Sequence, residues 1–212
     1  MKLNAEFSHR AAVHFDQTPW VPSPARGVQR KMLDRIGDEV ARATTIVRFE
    51  PGSAFAPHTH DGGEEFLVLD GVFQDETGDF PVGSYVRNPP TSRHSPAAAA
   101  GATILVKLHQ MHPEDRTRLH VNALAATSEC LPLYRDDHED VRIEIWAPDA
   151  RIDRDMSDGG EVFVISGGFV ESGEKFVRWD WLRLPPGSRL RADAGSDGAR
   201  VWLKTGHLAG MV

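Results

Sequence analysis

Two histidines two positions apart, followed closely by a carboxylate, are the residues of this chain whose types and spacing most clearly point to chemistry. The pattern G-x5-H-x-H-x3-E-x6-G contains His58, His60 and Glu64, and His94 follows in a turn-rich segment. Three imidazoles and one carboxylate suit zinc, iron, manganese or nickel, whereas calcium and magnesium prefer shells made of oxygen atoms. The sequence therefore predicts a site for one divalent transition metal, with these four side chains as ligands.

Strand geometry indicates how these residues could meet at one ion. Successive side chains on a strand point to opposite faces, so His58 and His60 point to the same side. The turn signal Asp61-Gly62-Gly63 predicts a reversal of the chain that returns Glu64 to the same pocket. Glu65 would then point the other way, and we expect it to be solvated or salt-bridged. The last histidine would complete the site from a neighbouring strand.

The chain repeats itself at an interval of about 97 residues. The matching segments are 61–71 with 158–168, 84–94 with 180–190, and 104–107 with 201–204. The repeat predicts two copies of one fold.

In this alignment the second copy lacks most of the metal ligands. The three histidines are replaced by Asp155, Ser157 and Leu190. Only Glu161 matches, at the position of Glu64, whereas the counterpart of Glu65 is Val162. We therefore expect one metal site per chain, in the first copy, and we take the match as support for Glu64 as the ligand.

Short apolar runs cut by Gly, Pro, Asp and Asn predict closely spaced β-strands along most of the 212 residues. Residues 28–40 are expected to be a strand and residues 1–27 an extended arm. Residues 110–127 are expected to be a linker without a clear strand, with a helical turn within 119–126. The domain prediction is an N-terminal, metal-binding domain over 1–112, arm included, and a C-terminal domain over 113–212 that has lost its ligands.

The composition excludes several classes of partner. A net charge of −7 without clustered basic residues argues against binding to nucleic acid or anionic membranes. No apolar stretch is long enough for a membrane span, and the N-terminus lacks the apolar core of a signal peptide. The single Cys130 allows no internal disulfide, which favours the cytoplasm. A small-molecule ligand or substrate and a second copy in a homodimer are the partners that we expect.

The first copy resembles a cupin, and specifically the ChrR-type cupin, the metal-binding C-terminal domain of a bacterial zinc-dependent anti-sigma factor. The segments that carry the resemblance are residues 51–53, 58–60, 63–73, 83–87 and 90–94. It covers about residues 20–110 and extends to the second half only as a degenerate copy. The resemblance implies an all-β chain with two tandem cupin-type double-stranded β-helix, or jelly-roll, barrels.

One departure from that family limits what the resemblance implies. The anti-sigma module binds zinc through an H-x3-C-x2-C motif, which a chain with a single cysteine cannot contain. We therefore do not expect this chain to bind a sigma factor.

Two classes of function remain open, and whether the protein is an enzyme is left undecided. A sensor or binding protein would use the ion to bind a small molecule. An enzyme, of the non-haem Fe(II)- or Mn(II)-dependent dioxygenase type or an isomerase, would use the ion as Lewis acid and template for a small organic substrate. Alternation predicts that Phe66 and Val68 face the barrel interior, and an apolar interior favours the first class. Zinc is the metal expected first, with iron, manganese or nickel as alternatives.

Overall fold

A computed structural model describes residues 1–125 and 127–211, and these residues are almost entirely β-strand, turn and loop. The two short 3₁₀ helices are Phe15–Gln17 and Ala123–Ala125. The strands are β1 Lys2–Leu3, β2 Ala11–Val13, β3 Val21–Pro22, β4 Val28–Gly37, β5 Ala41–Phe49, β6 Ser53–Ala54, β7 His58–His60, β8 Glu64–Asp75, β9 Gly78–Pro81, β10 Ser84–Asn88, β11 Ser92–His94, β12 Ala97–Ala98, β13 Ala102–Leu108, β14 Leu119–Asn122, β15 Cys130–Arg135, β16 Asp140–Trp146, β17 Arg151–Met156, β18 Gly160–Glu171, β19 Glu174–Val177, β20 Trp181–Leu184 and β21 Ser188–Thr205. Within these described ranges, no helix is long and apolar enough to cross a membrane.

The chain divides into two compact units whose boundaries differ from those expected from the sequence. The first unit contains residues 1–5 and 19–124, and the second contains residues 6–18 and the chain from residue 125 onward. Part of the N-terminal arm therefore belongs to the second unit, because β2 pairs with β20.

The first unit also extends beyond residue 112. Strand β14 pairs with β10, so the prediction of a linker without a strand is wrong at residues 119–122. A 3₁₀ turn follows at residues 123–125, and Ala126, the last residue of the expected helical turn, lies outside the described residues.

The main sheet of the first unit runs in the order β1-β4-β5-β13-β8-β10-β14. The strand predicted for residues 28–40 is confirmed over Val28–Gly37, as β4, and residues 38–40 form a bend. The short strands β7 and β11 pair with each other in a separate two-stranded sheet, and they carry the three histidines of the sequence pattern.

The core of the first unit follows from the alternation along β8 and its neighbours. Phe66 and Val68 lie in the apolar cluster together with Val86, Phe73 and Phe80, so the predicted inward positions are confirmed. The intervening Leu67 and Leu69 are also buried. Because β8 is buried on both faces, its sequence reads as a continuous apolar run rather than a strict alternation.

The second unit has the strand order β15-β16-β21-β18-β20-β2 and its own apolar core. The chain over residues 174–184 is divided into β19 and β20. The break occurs at Trp179, whose φ of 70° is incompatible with a regular strand.

The pairing registers of the two units correct the alignment of the repeat by one residue. Lys107 pairs with Glu65 in the first unit, and Lys204 pairs with Glu161 in the second. Lys107 and Lys204 are equivalent in the repeat, so Glu161 is the counterpart of Glu65. Its acidity therefore gives no support to the choice of Glu64 as a ligand, and the sequence argument on this point was wrong.

The corrected register leaves no predicted ligand in the second unit. The counterparts of His58, His60, Glu64 and His94 are Arg154, Met156, Gly160 and Leu190. Met156 and Leu190 belong to the apolar core of the second unit. Core side chains thus fill the space that polar ligands would need, which explains why the described residues of this copy contain no comparable cluster.

Candidate metal centre

The three histidines of the sequence pattern converge on one point of the first unit. His94 on β11 lies directly opposite His58 in the register with β7, and His60 points to the same side two residues later. One nitrogen from each ring lies within 4.8 Å of the others. The rings meet edge to face, with interplanar angles of 70° and 71°, so none of the three stacks on another.

Glu64 reaches the same point from the start of β8. Its Oε2 lies 3.5 Å from Nε2 of His60 and 3.5 Å from Nε2 of His94, and these two nitrogens are 2.9 Å apart. Ligand atoms placed about 2.0 to 2.1 Å from a tetrahedral zinc ion would be separated by roughly 3.3 Å. The spacing of His60, His94 and Glu64 therefore fits such an ion, and His58 lies within 4.8 Å of the other two histidines. The binding of a metal by these four residues stays a prediction.

Burial sets the protonation of this cluster. Burial lowers the pKa of His60 to about 4, with a smaller effect from the nearby His58, and burial also lowers the pKa of His94. Metal ligation requires neutral imidazoles, and these two are therefore ready to bind at neutral pH. Burial raises the pKa of Glu64, since a charged carboxylate is poorly solvated there. A positive ion beside Glu64 would remove that penalty.

Two residues that the sequence analysis missed hold the predicted ligands in place. The Asn88 side-chain amide donates a hydrogen bond to Oε2 of Glu64 at 3.0 Å, and Oδ2 of Asp75 lies 3.3 Å from Nδ1 of His94. Such outer contacts fix the orientation and tautomer of metal ligands. Asn88 could have been found by register, since it lies opposite Glu64 on β10. Asp75 follows eleven positions after Glu64 at the other end of β8, and no local pattern marks it.

The turn before Glu64 is held by His109. The backbone N–H of His109 donates to the carbonyl of Gly63, and its ring packs over Gly62. A Cβ added at Gly62 would lie only 2.5 Å from Nδ1 of His109. The turn therefore requires glycine at this position, and the packing fixes where β8 begins.

Glu65 is buried and has a different set of partners. It accepts hydrogen bonds from the hydroxyl of Tyr85 at 2.6 Å and from Arg87 at 3.3 Å. Arg87 also binds Asp115 at 2.7 Å. The expected salt bridge is present, but the expected exposure is wrong, since only 2 % of Glu65 is accessible to solvent.

Comparison with known proteins relates this fold and site to one family. The family model described as ChrR Cupin-like domain matches residues 8–112. No curated protein sequence matches the chain.

Solved structures with the same fold share little sequence with the chain. Protein Ylba from E. coli is 14% identical, with a TM-score of 0.73, over 98% of this chain and 95% of that one. The bacterial pirin YhhW from Escherichia coli, in complex with nickel(II), is 13% identical, with a TM-score of 0.71, over 93% and 99%. A candidate dioxygenase from Nostoc punctiforme is 14% identical, with a TM-score of 0.70, over 100% and 84%.

These likenesses at low identity establish the fold, and the family match establishes the type of its first barrel. The chain therefore has the cupin fold with two tandem barrels, and its residues 8–112, which include all four predicted ligands, match the ChrR cupin-like family.

Proposed function

We propose that the first unit binds one divalent transition-metal ion through His58, His60, Glu64 and His94, and that the protein uses this ion to bind or sense a small molecule. The observation that carries the proposal is the cluster of three imidazole nitrogens, with the Glu64 carboxylate oxygen 3.5 Å from two of them. When bound, the ion would supply a Lewis-acid centre. YhhW, which has the same fold, is found in complex with nickel(II), and this supports the binding of a metal by the present chain.

The residues of the chain itself would position and protect this centre. Asn88 would hold the Glu64 carboxylate, and Asp75 would orient His94 so that Nε2 faces the ion. His60, Glu64 and His94 are each less than a tenth exposed, whereas His58 is exposed. His58 therefore leaves one side of the ligand cluster open to solvent.

We propose zinc as the first metal, with iron, manganese or nickel as alternatives. Imidazole suits all of these metals, and the geometry does not separate them. The test is elemental analysis of protein purified without added metal, together with zinc affinity from competition with a chelator. About one equivalent in the wild-type protein and a strong loss in His94→Ala would support the proposal. A wild-type protein that binds no transition metal would refute it.

A second candidate function is a dioxygenase-type or isomerase enzyme that uses Fe(II) or Mn(II) at the same ligands. The likeness to the candidate dioxygenase from Nostoc punctiforme favours it. Oxygen consumption by the iron-loaded protein, measured against a panel of small diketones and phenols, separates the two functions. Turnover that disappears in His94→Ala would favour the enzyme. Binding without turnover would favour the sensor.

A further inference from the structure

A cavity of about 290 Å³ lies in the first unit beside the predicted metal ligands. It is lined by residues of the β8–β9 hairpin, β10 and β14, namely Asp75, Thr77, Gly78, Asp79, Phe80, Val86, Asn88, Arg118, Leu119 and His120. Two of these residues contact predicted ligands, since Asn88 binds Glu64 and Asp75 lies next to His94. A molecule in this cavity would therefore contact the residues that hold the ligands.

The charged side chains of the cavity differ in what they already bind. Oδ1 of Asp75 accepts from the backbone and hydroxyl of Thr77, and its Oδ2 faces His94. Asp79 accepts from Gln74. Arg118, in contrast, makes no hydrogen bond or ion pair with any residue in ranges 1–125 and 127–211. Arg118 thus offers a guanidinium that no described residue binds, and a guanidinium pairs well with a carboxylate.

The remaining walls suit an apolar body. Phe80, Val86 and Leu119 are apolar, and the ring of His120 packs edge to face on Phe80 with 5.1 Å between ring centroids. Each water molecule occupies about 30 Å³ in the liquid, so the cavity has room for roughly ten atoms other than hydrogen. Specificity in such pockets comes from a few placed polar groups on an apolar surface.

We propose that this cavity binds a small organic carboxylate of roughly ten non-hydrogen atoms, with its carboxylate on Arg118 and its other end towards Asn88 and the metal ligands. The inference rests on the proposed function in that it names the chemical class of the small molecule used at the same site. It makes Arg118 a residue that determines specificity, outside the set that holds the metal.

Three probes of one shape but different charge test this inference. They are 3-hydroxybenzoate, 3-hydroxybenzamide and 3-hydroxybenzylamine, titrated by calorimetry into the zinc-loaded and the metal-free protein. We expect the carboxylate to bind at least tenfold more tightly than the amide. Arg118→Gln should abolish this preference. The matched control is Arg116→Gln, since Arg116 is also exposed but donates to the backbone carbonyls of Pro113 and Asp115, and it should retain the preference.

Every outcome decides for or against the inference. A carboxylate preference that survives Arg118→Gln would place the carboxylate on another group, on the metal where the preference needs zinc, and would overturn the role of Arg118. Tightest binding of the amine, or no binding of any probe, would overturn the inference as well. Metal content, measured on the same samples, tests the proposed function separately. An Arg118-dependent preference in a protein that binds no metal would support the cavity and refute only the metal site.

Discussion

Glu64 and Glu65 are adjacent and both buried, yet they take part in different interactions. Glu64 faces His60 and His94, whereas Glu65 accepts from Tyr85 and Arg87. A shift of one residue on a strand moves a side chain to the opposite face, so the start of β8 decides which carboxylate meets the histidines. The glycine turn that packs against His109 therefore determines which of the two glutamates faces the histidines.

Substitution by glutamine should affect zinc affinity at Glu64 and folding stability at Glu65. Glu64→Gln replaces a charged oxygen donor and should lower zinc affinity by at least tenfold, as outer contacts alone are worth 10- to 100-fold. Glu65→Gln should leave zinc affinity nearly unchanged but lower the free energy of unfolding, by about 1 to 3 kcal/mol, because it weakens buried charge-assisted hydrogen bonds. Chelator competition and urea denaturation of both variants measure the two effects. Loss of affinity confined to Glu65→Gln would contradict this assignment.

A second prediction for single residues concerns how the folding stability of the metal-free protein depends on pH. The pKa of His60 is lowered to about 4 by burial, so between about pH 6.5 and pH 4 the unfolded chain binds a proton that the folded protein does not. Folding stability should therefore fall on acidification through this range, by about 2 kcal/mol between pH 7.5 and pH 5 from His60 alone. His94, with its pKa also lowered by burial, acts in the same direction.

The measurement is urea unfolding of the metal-free protein at pH 7.5, 6 and 5. His60→Asn, which removes the titrating ring, is the matched variant and should lose less stability on acidification than the wild type. The raised pKa of Glu64 works in the opposite direction, because its burial penalty disappears when the carboxyl is protonated. Equal pH dependence in the two proteins would show that His60 is not held neutral.

Single residues were the part of the site that the sequence predicted best. The spacing of His58 and His60 and the turn before Glu64 are local patterns, and local geometry was sufficient to expect that they meet. The contact of Asp75 with His94 depends on how the 12-residue β8 places its far end, which no local pattern contains. The burial of Glu65 was missed because β8 is buried on both faces, which alternation alone does not reveal.

At the scale of the elements, β8 with its hairpin to β9 links the two parts of the ligand cluster. Glu64 stands at its first position and Asp75 at its last, where the hairpin pairing reaches Gly78. Asp75 then faces His94 on β11. One long strand thus contributes both a predicted ligand and a residue that orients another.

The substitution Asp75→Asn tests whether Asp75, at the end of β8, orients His94. The amide would weaken the hydrogen bond that orients His94, and zinc affinity should fall 10- to 100-fold, as is typical for such outer contacts. Asp79→Asn on the same hairpin is the control, because Asp79 contacts Gln74 and no predicted ligand. Chelator competition gives the affinities of both variants. Equal affinities for the two variants would contradict an orienting role for Asp75.

The elements also show where sequence reasoning fails for non-local reasons. The strands predicted from apolar runs are present because those runs are buried. The short β2 and β14 were missed, since each is defined by pairing with a strand distant in sequence, β20 and β10 respectively. The repeat alignment was off by one residue because Glu64 and Glu65 are both acidic, and only pairing with Lys107 separates them.

At the scale of the whole molecule, the chain contains two copies of a barrel with one ligand cluster among the described residues. The copies share a buried acidic residue, Glu65 or Glu161, paired in register with a buried lysine. They differ at the ligand positions, where the second unit has Arg154, Met156, Gly160 and Leu190. The second copy therefore retains the buried acidic residue paired with a lysine, but it has lost the residues that could bind a metal.

One metal per chain follows from this difference. Elemental analysis should find about one equivalent, which His94→Ala removes, because the second unit offers core side chains where ligands would be needed. Glu161→Gln is the matched variant: Glu161 accepts hydrogen bonds from Trp181 at 2.9 Å and contacts His207 at 2.8 Å in a fully buried position. It should lower the free energy of unfolding, by about 1 to 3 kcal/mol, and leave metal content at one. Two equivalents in the wild type, or loss of metal in folded Glu161→Gln protein, would show that the second barrel binds metal after all.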